Sequence, residues 1–196
     1  MPHHRALVRD LDRLAIAIVD NRRPMLAVMR ARLAAIGIGR VDIYESPIEA
    51  LDRMAGDLPD LVIAAAALQP LSGPALVRAM RRVSSGQFAL VPAMIMSAHV
   101  KPSLVEEALK AGAHQVLVLP IAASTLYRRI DWLINDDPPF ELCGQHYVVS
   151  GLEERLALSV QRPIPEPAAA PIAARAEDVP AAPETLATQK AQTARN

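Results

Sequence analysis

Five short segments with strand-like apolar patterns, each followed by a segment with helical spacing, constrain the fold of this chain more than any other feature. Four are apolar runs, at Leu14–Val19, Leu61–Ala65, Val91–Met96 and Val116–Leu119, and the fifth, Val41–Ser46, alternates as a half-buried strand does. The helical segments are Pro24–Ile36, Pro47–Ala55, Pro74–Val83, Lys101–Ala111 and Ala122–Ile134. Nearly continuous apolar runs are typical of strands that are buried on both faces of a parallel sheet. The alternation therefore predicts an α/β fold, a doubly wound parallel sheet with helices on both faces.

The composition of the C-terminal part predicts how the chain is divided. The segment Pro163–Asn196 holds six of the 17 prolines and no aromatic residue. It cannot bury enough apolar surface to offset the entropy of ordering it, so we predict a disordered Ala/Pro-rich tail over 163–196. Before it we expect an N-terminal segment over 1–13, the α/β domain over 14–134, and an extension over 135–162 with a short helix from Gly151 to Val160.

The charge balance excludes several classes of partner. The chain carries 21 Lys and Arg residues against 21 Asp and Glu residues, a formal net charge of zero. Nucleic-acid backbones and anionic membranes attract basic surfaces, so we expect neither as a partner. No apolar run approaches the roughly 18–20 residues of a membrane span. The single cysteine, Cys143, excludes an internal disulfide and a cysteine-based zinc cluster. We expect a cytoplasmic protein without cofactors.

Six sequence landmarks carry a family resemblance. They are Ile18–Asn21 (IVDN), Pro59–Ile63 (PDLVI), Leu71–Gly73 (LSG), Met94–Ala98 (MIMSA), Ala108–Ala113 (ALKAGA) and Val116–Pro120 (VLVLP). With these landmarks in order over about 120 residues, the chain resembles the receiver domain of bacterial two-component response regulators. The resemblance implies a flavodoxin-like, receiver-like five-stranded sheet of order 2-1-3-4-5, with its ligand site at the carboxyl ends of the strands.

The same resemblance implies which chemistry to look for at the strand ends. In the family, an aspartate ending the third strand accepts a phosphoryl group from a histidine kinase, beside Mg²⁺ held by acidic residues after the first strand. A hydroxyl after the fourth strand and a lysine after the fifth contact the phosphoryl group. Asp20 and Asn21 stand at the acidic pair, Ala65 at the phosphoacceptor, Ser97 at the hydroxyl and Leu119 at the lysine.

These departures predict a vestigial pocket with no phosphoacceptor, no catalytic residue and no metal. One carboxylate remains, and Leu119 is compatible with the pocket because no buried acid then needs a cationic partner. Simpler interpretations stay open for single residues. Asp20 could cap the first helix, and the Ser97 hydroxyl could bond to nearby backbone. We interpret the basic cluster Arg78, Arg81 and Arg82 as a solvated face.

Our leading hypothesis is a stand-alone pseudo-receiver: an atypical response regulator, not an enzyme, that acts by protein–protein interaction. Its expected partners are a histidine kinase, a phosphotransfer protein or another receiver, with a homodimer as a further option. Tyr127 and Trp132 are candidate interface residues because aromatic side chains are enriched at interfaces, although they could equally belong to the core. The alternative is a small-molecule-sensing domain that uses the neutralised pocket above Ala65. A flavodoxin-type electron carrier is disfavoured, because Asn21–Pro24 lacks a Gly/Ser/Thr-rich phosphate loop.

Overall fold

Five parallel strands form the central sheet of the computed structural model, which describes residues 6, 10–135 and 139–151. The strands are β1 (Ala15–Val19), β2 (Arg40–Tyr44), β3 (Leu61–Ala65), β4 (Ala93–Ser97) and β5 (Gln115–Val118). The helices are α1 (Arg23–Ala35), α2 (Pro47–Gly56), α3 (Gly73–Met80), α4 (Pro102–Lys110) and α5 (Ala123–Asn135). The strand order β2-β1-β3-β4-β5 confirms the predicted flavodoxin-like sheet.

The helices cover the sheet in two groups. Helix α1 packs against α5, whereas α3 contacts α2 and α4. The central strand β3 is buried along its whole length, and β1 and β4 are buried at all but one residue each. The predicted apolar stripe of α5, Leu126, Ile130 and Leu133, lies in the core. Strands between two helical layers need apolar residues on both faces, which explains the continuous apolar runs.

Two elements end a few residues earlier than the sequence predicts. Strand β2 ends at Tyr44 because Ser46 is the N-cap of α2, where its Oγ accepts a hydrogen bond from the Glu49 N–H at 3.4 Å. Helix α3 ends at Met80 instead of Val83. Two short 3₁₀ turns, separated by a kink at Gly86, follow it over Val83–Leu90.

A β-hairpin in the extension was not predicted. Strands β6 (Phe140–Cys143) and β7 (His146–Val149) pair antiparallel across a two-residue loop. Gly144 begins that loop with φ of 63°, a left-handed conformation that glycine adopts without strain. The helix expected over Gly151–Val160 and the tail over 163–196 lie outside the described residues, apart from Gly151 itself, and stay predictions. Of the N-terminal segment, a 3₁₀ turn over Leu11–Arg13 is described.

Candidate functional site

The strand register brings the predicted pocket residues to one edge of the sheet. Val19 in β1 pairs with Ala64 in β3, and Ser97 in β4 pairs with Val118 in β5. The carboxyl ends of four strands therefore meet at the same level. The residues that the sequence assigned to the vestigial pocket stand at these ends: Asp20, Asn21, Ala65, Ser97 and Leu119.

The one remaining carboxylate, Asp20, forms an ion pair within its own loop. Its side chain is buried, and the guanidinium of Arg22 donates to both carboxylate oxygens, from Nε to Oδ1 at 3.0 Å and from Nη2 to Oδ2 at 2.8 Å. The Arg22 backbone N–H adds a third hydrogen bond to Oδ1 at 2.9 Å. The hydrogen bond to Asp20 raises the pKa of Arg22 above its ordinary value, against a smaller opposing effect of burial.

The capping interpretation of Asp20 is wrong. The N-cap residue of α1 is Arg22, and no side chain caps that position. Asp20 instead closes a tight turn with the backbone two residues ahead, a common aspartate conformation, and it holds the cation that neutralises it. The spacing Asp20–Asn21–Arg22 is compatible with such a turn, because a side chain two residues away can reach back across it, but the spacing is equally compatible with a helix cap.

Asn21 joins three loops at the edge of the sheet. Its amide nitrogen donates to the carbonyl of Glu45, in the loop before α2, at 2.7 Å and to the carbonyl of Gln69, in the loop before α3, at 3.3 Å. Its amide oxygen accepts from the Gln69 N–H at 2.9 Å. An amide is both donor and acceptor, whereas a carboxylate only accepts, so this set of bonds requires asparagine.

The remaining pocket positions are apolar or bonded to backbone. Ala65 and Leu119 are buried, and the Leu119 N–H donates to the Ser97 carbonyl at 2.8 Å. The Ser97 hydroxyl donates to the His99 carbonyl at 2.9 Å and accepts from the His99 N–H at 3.2 Å. The backbone-bonding interpretation of Ser97 is therefore confirmed, and the hydroxyl stabilises the turn after β4.

The residues of this pocket do not fit a magnesium site. Mg²⁺ selects oxygen ligands, usually carboxylates, in near-octahedral geometry. Both oxygens of Asp20 are bonded to Arg22, the Asn21 oxygen is bonded to Gln69, and Ala65 has no ligand atom on its side chain. Across the described residues, no group of three or more His, Cys, Asp or Glu side chains could hold a metal ion.

The candidate interface residues lie on the surface of α5. Tyr127 is 41% exposed and Trp132 is 36% exposed, so both are accessible rather than core residues. Five helical positions separate them by about 140° around the axis, so they flank the exposed face of α5 instead of forming one patch. The β5 edge beside α5 presents a third apolar side chain, Val118.

The basic cluster on α3 divides into two kinds of residue. Arg78 and Arg82 are exposed, as a solvated face requires. Arg81 is fully buried, so its assignment to that face is wrong. Its guanidinium turns inward to backbone carbonyls at the opposite edge of the sheet from the pocket, and these hydrogen bonds offset part of the free-energy cost of its lost hydration.

Comparison with known proteins agrees with this geometry. The model of the response regulator receiver domain family matches residues 16–131. The chemotaxis response regulator CheY4 of Vibrio cholerae superposes with a TM-score of 0.56 at 22% identity, covering 61% of this chain and 98% of that one. A receiver domain protein from Clostridium thermocellum gives a TM-score of 0.55 at 23% identity, over 62% and 94% of the two chains.

A third structure contains a magnesium ion, the metal for which the pocket described above has no suitable set of ligands. The receiver domain of a sensor histidine kinase from Pseudomonas aeruginosa, with a magnesium ion coordinated in its active-site cleft, matches with a TM-score of 0.56. Identity is 22%, over 62% of this chain and 97% of that one. Within the described part of this chain, no helix combines the length and apolarity needed to cross a bilayer. By fold and by family match, the chain belongs to the response regulator receiver domain family.

Proposed function

We propose that this receiver domain acts in two-component signalling through protein–protein contact, without accepting a phosphoryl group at the end of β3, and that it is not an enzyme. The observation that carries the proposal is the bidentate Arg22–Asp20 pair beside a methyl group, Ala65, at the acceptor position. The positive charge next to Asp20 is the guanidinium of Arg22, and Ala65 has no side-chain oxygen that could attack phosphorus.

Phosphoryl transfer to a receiver has requirements that this pocket does not meet. The reaction needs a carboxylate to attack phosphorus and cationic groups that stabilise the charge on the transferring phosphoryl oxygens. Here Ala65 provides no nucleophile and Leu119 provides no positive charge. The hydroxyl of Ser97 is engaged by the backbone of His99 on both its donor and its acceptor side. The pocket therefore lacks both the attacking carboxylate and the lysine charge, so we expect no phosphoryl transfer at this site.

The surface around β5 and α5 supports the interaction part of the proposal. Val118, Tyr127 and Trp132 expose apolar side-chain area on these two elements, and aromatic side chains contribute strongly to binding when an interface covers them. The partner classes that we propose are a histidine kinase, a phosphotransfer protein or another receiver, including a second copy of this chain.

The small-molecule alternative receives no comparable support. A ligand above Ala65 would need accessible surface in the neutralised corner, but Asp20, Ala65 and Leu119 are 1%, 2% and 6% exposed. Side chains that already fill the corner leave little area for a ligand to cover. A thermal-shift screen against metabolites tests this alternative, and a stabilising hit that Leu119→Ala abolishes would favour it.

The phosphorylation part is tested with a small phosphodonor. The purified chain is incubated with acetyl phosphate and magnesium, and its intact mass is measured. We expect no phosphoryl adduct. A matched positive control is the triple variant Asn21→Asp, Ala65→Asp, Leu119→Lys, which restores the family residues and should acquire an acid-stable, base-labile adduct. A stoichiometric acyl phosphate on the unmodified chain would overturn the proposal.

The interaction part is tested with paired surface variants. Trp132→Ala and Ile48→Ala both remove an exposed apolar side chain, but Ile48 lies on α2, which packs against α3 and is not part of the proposed face. Binding to purified histidine kinases and phosphotransfer proteins of the source organism is measured by interferometry, and self-association by sedimentation. We expect Trp132→Ala to weaken binding about tenfold, as for a moderate interface hot spot, and Ile48→Ala to leave it unchanged. Equal effects of the two variants would argue against this face.

A further inference from the structure

A buried cation lies at the edge of the sheet opposite the pocket. Arg81 follows α3 and is fully buried. Its Nε donates to the Gly112 carbonyl at 3.0 Å, and its Nη1 donates to the carbonyls of Ala89 and Val91 at 2.8 Å each. Among the described residues no carboxylate pairs with this guanidinium, and its Nη2 has no hydrogen-bond partner. The positive charge is thus held by three backbone carbonyls.

An aromatic ring from the hairpin covers this cation. The centre of the Phe140 ring lies 4.9 Å from Cζ of Arg81, within the range of a cation–π interaction. Burial lowers the pKa of Arg81 to about 9, which leaves the guanidinium protonated at neutral pH. A charge in this position is tolerable only while the carbonyls and the ring replace its lost hydration. The hairpin ring is therefore part of the environment that stabilises Arg81.

Backbone hydrogen bonds fix the hairpin to the same residue. The Tyr147 N–H in β7 donates to the Arg81 carbonyl at 2.8 Å, and the Val83 N–H donates to the Gln145 carbonyl at 3.0 Å. The hairpin thus pairs with the segment that follows α3. The Phe140 ring also meets the His114 ring edge to face, with 5.4 Å between centroids.

The junction between α4 and β5 depends on the same guanidinium. Gly112, which accepts from Arg81 Nε, has φ of +87°, and a Cβ at this position would lie 2.9 Å from Cγ of Arg81. The approach is so close that only glycine fits. Leu109, near the end of α4, packs against the hairpin residues Phe140 and Val149. Arg81 therefore contacts the α4–β5 junction with one part of its side chain and the hairpin with another.

We propose that Arg81 couples docking of the hairpin to the position of the α4–β5 junction, so that the two segments open together. If the Phe140 ring leaves, the buried cation loses one face of its environment and must be hydrated instead. Water that enters the vacated space competes with the backbone carbonyls for the guanidinium N–H groups, and one of those carbonyls, that of Gly112, belongs to the junction. The inference holds whether or not the pocket accepts a phosphoryl group, because it rests on contacts at the opposite edge of the sheet.

Hydrogen exchange measured by mass spectrometry on the full chain tests this coupling. Phe140→Leu keeps an apolar side chain but removes the ring from Arg81. We expect exchange to accelerate about tenfold over the hairpin and severalfold at the junction amides of Ala113 and His114, while β1 and β3 keep their protection. Arg81→Lys keeps the charge but replaces the guanidinium by a single ammonium, and it should produce the same two-segment pattern.

The matched control is Leu142→Ala, in the same strand but 60% exposed, which should change exchange in neither segment. Three results would overturn the coupling. One is faster exchange confined to the hairpin in both test variants. Another is acceleration by one common factor that includes β1 and β3, which indicates general destabilisation. The third is no change in either test variant.

Discussion

Removal of the Arg22 guanidinium should destabilise the domain far more than removal of the arginine next to it. Arg22→Ala deletes two of the three described hydrogen bonds to the buried carboxylate of Asp20 and leaves the bond from the backbone N–H. Arg23 also pairs with a carboxylate, because its Nε donates to both oxygens of Glu45, but its side chain is 82% exposed and that of Glu45 is 49% exposed. The two variants therefore compare the loss of an arginine–carboxylate pair at a buried carboxylate, Asp20, and at an exposed one, Glu45.

The magnitude follows from the burial of the two partners. Breaking a fully buried pair costs about 3–5 kcal/mol, whereas exposed pairs contribute at most about 1 kcal/mol. The Asp20 side chain is 2% exposed but that of Arg22 is 53% exposed, so solvent screens the pair from one side. We therefore expect a loss of about 2 kcal/mol, or about 8 °C in Tm for a domain of this size. For Arg23→Ala we expect a loss below about 0.5 kcal/mol.

Urea unfolding followed by circular dichroism measures both free energies of unfolding. A third variant isolates the cause: Asp20→Asn in the Arg22→Ala background should recover part of the loss, because it removes the buried charge that has no cation. Equal losses for Arg22→Ala and Arg23→Ala would refute the reasoning. So would a further loss on adding Asp20→Asn, since the cost would then not come from an uncompensated carboxylate.

Three further predictions concern the same edge of the sheet. Gly73→Ala should destabilise by about 2–3 kcal/mol, because its Cβ would lie 2.3 Å from the Ala65 carbonyl oxygen. Gly56→Ala, with nothing near its Cβ, should stabilise by about 0.5 kcal/mol, and unfolding curves that rank the two alike would contradict this. Asn21→Asp should lower the free energy of unfolding by about 1 kcal/mol because a carboxylate cannot donate to two carbonyls; an unchanged urea midpoint would count against it. Millimolar magnesium should move the Tm of the unmodified chain by less than about 1 °C, and a clear rise in thermal scans would restore a metal site to the pocket.

The sequence was informative wherever apolar periodicity and strand ends decide the structure. Buried parallel strands require apolar residues at nearly every position, so β1, β3 and β4 were visible as runs. The carboxyl ends of β3 and β5 then identified Ala65 and Leu119 as pocket positions. Their burial follows from the register, which the fold class implies without knowledge of any contact.

The same reasoning could not predict which residues would contact each other across distant segments or within a loop. Arg81 was expected in solvent because arginine is rarely buried alone, yet backbone carbonyls from distant segments and the Phe140 ring enclose it. The hairpin was missed although Gly144 follows an alternating run, because four-residue strands are weak signals. The Arg22–Asp20 pair was missed because the choice between a helix cap and a turn depends on backbone angles that the sequence does not specify.

The internal contacts also imply that single reversions toward the family pattern destabilise this chain. Asn21→Asp removes both donor contacts of the amide, and Ala65→Asp alone buries a carboxylate at a position that is 2% exposed. Leu119→Lys alone buries an ammonium without an acid, an uncompensated charge of the opposite sign. The acid and the lysine offset each other only when both are present, so the triple variant should be more stable than the sum of the three single losses predicts. Such non-additivity, measured as a coupling free energy in a mutant cycle, is expected of groups in direct contact. Additive losses would mean that the restored acid and lysine do not meet, and that the corner between β3 and β5 has closed around its apolar side chains.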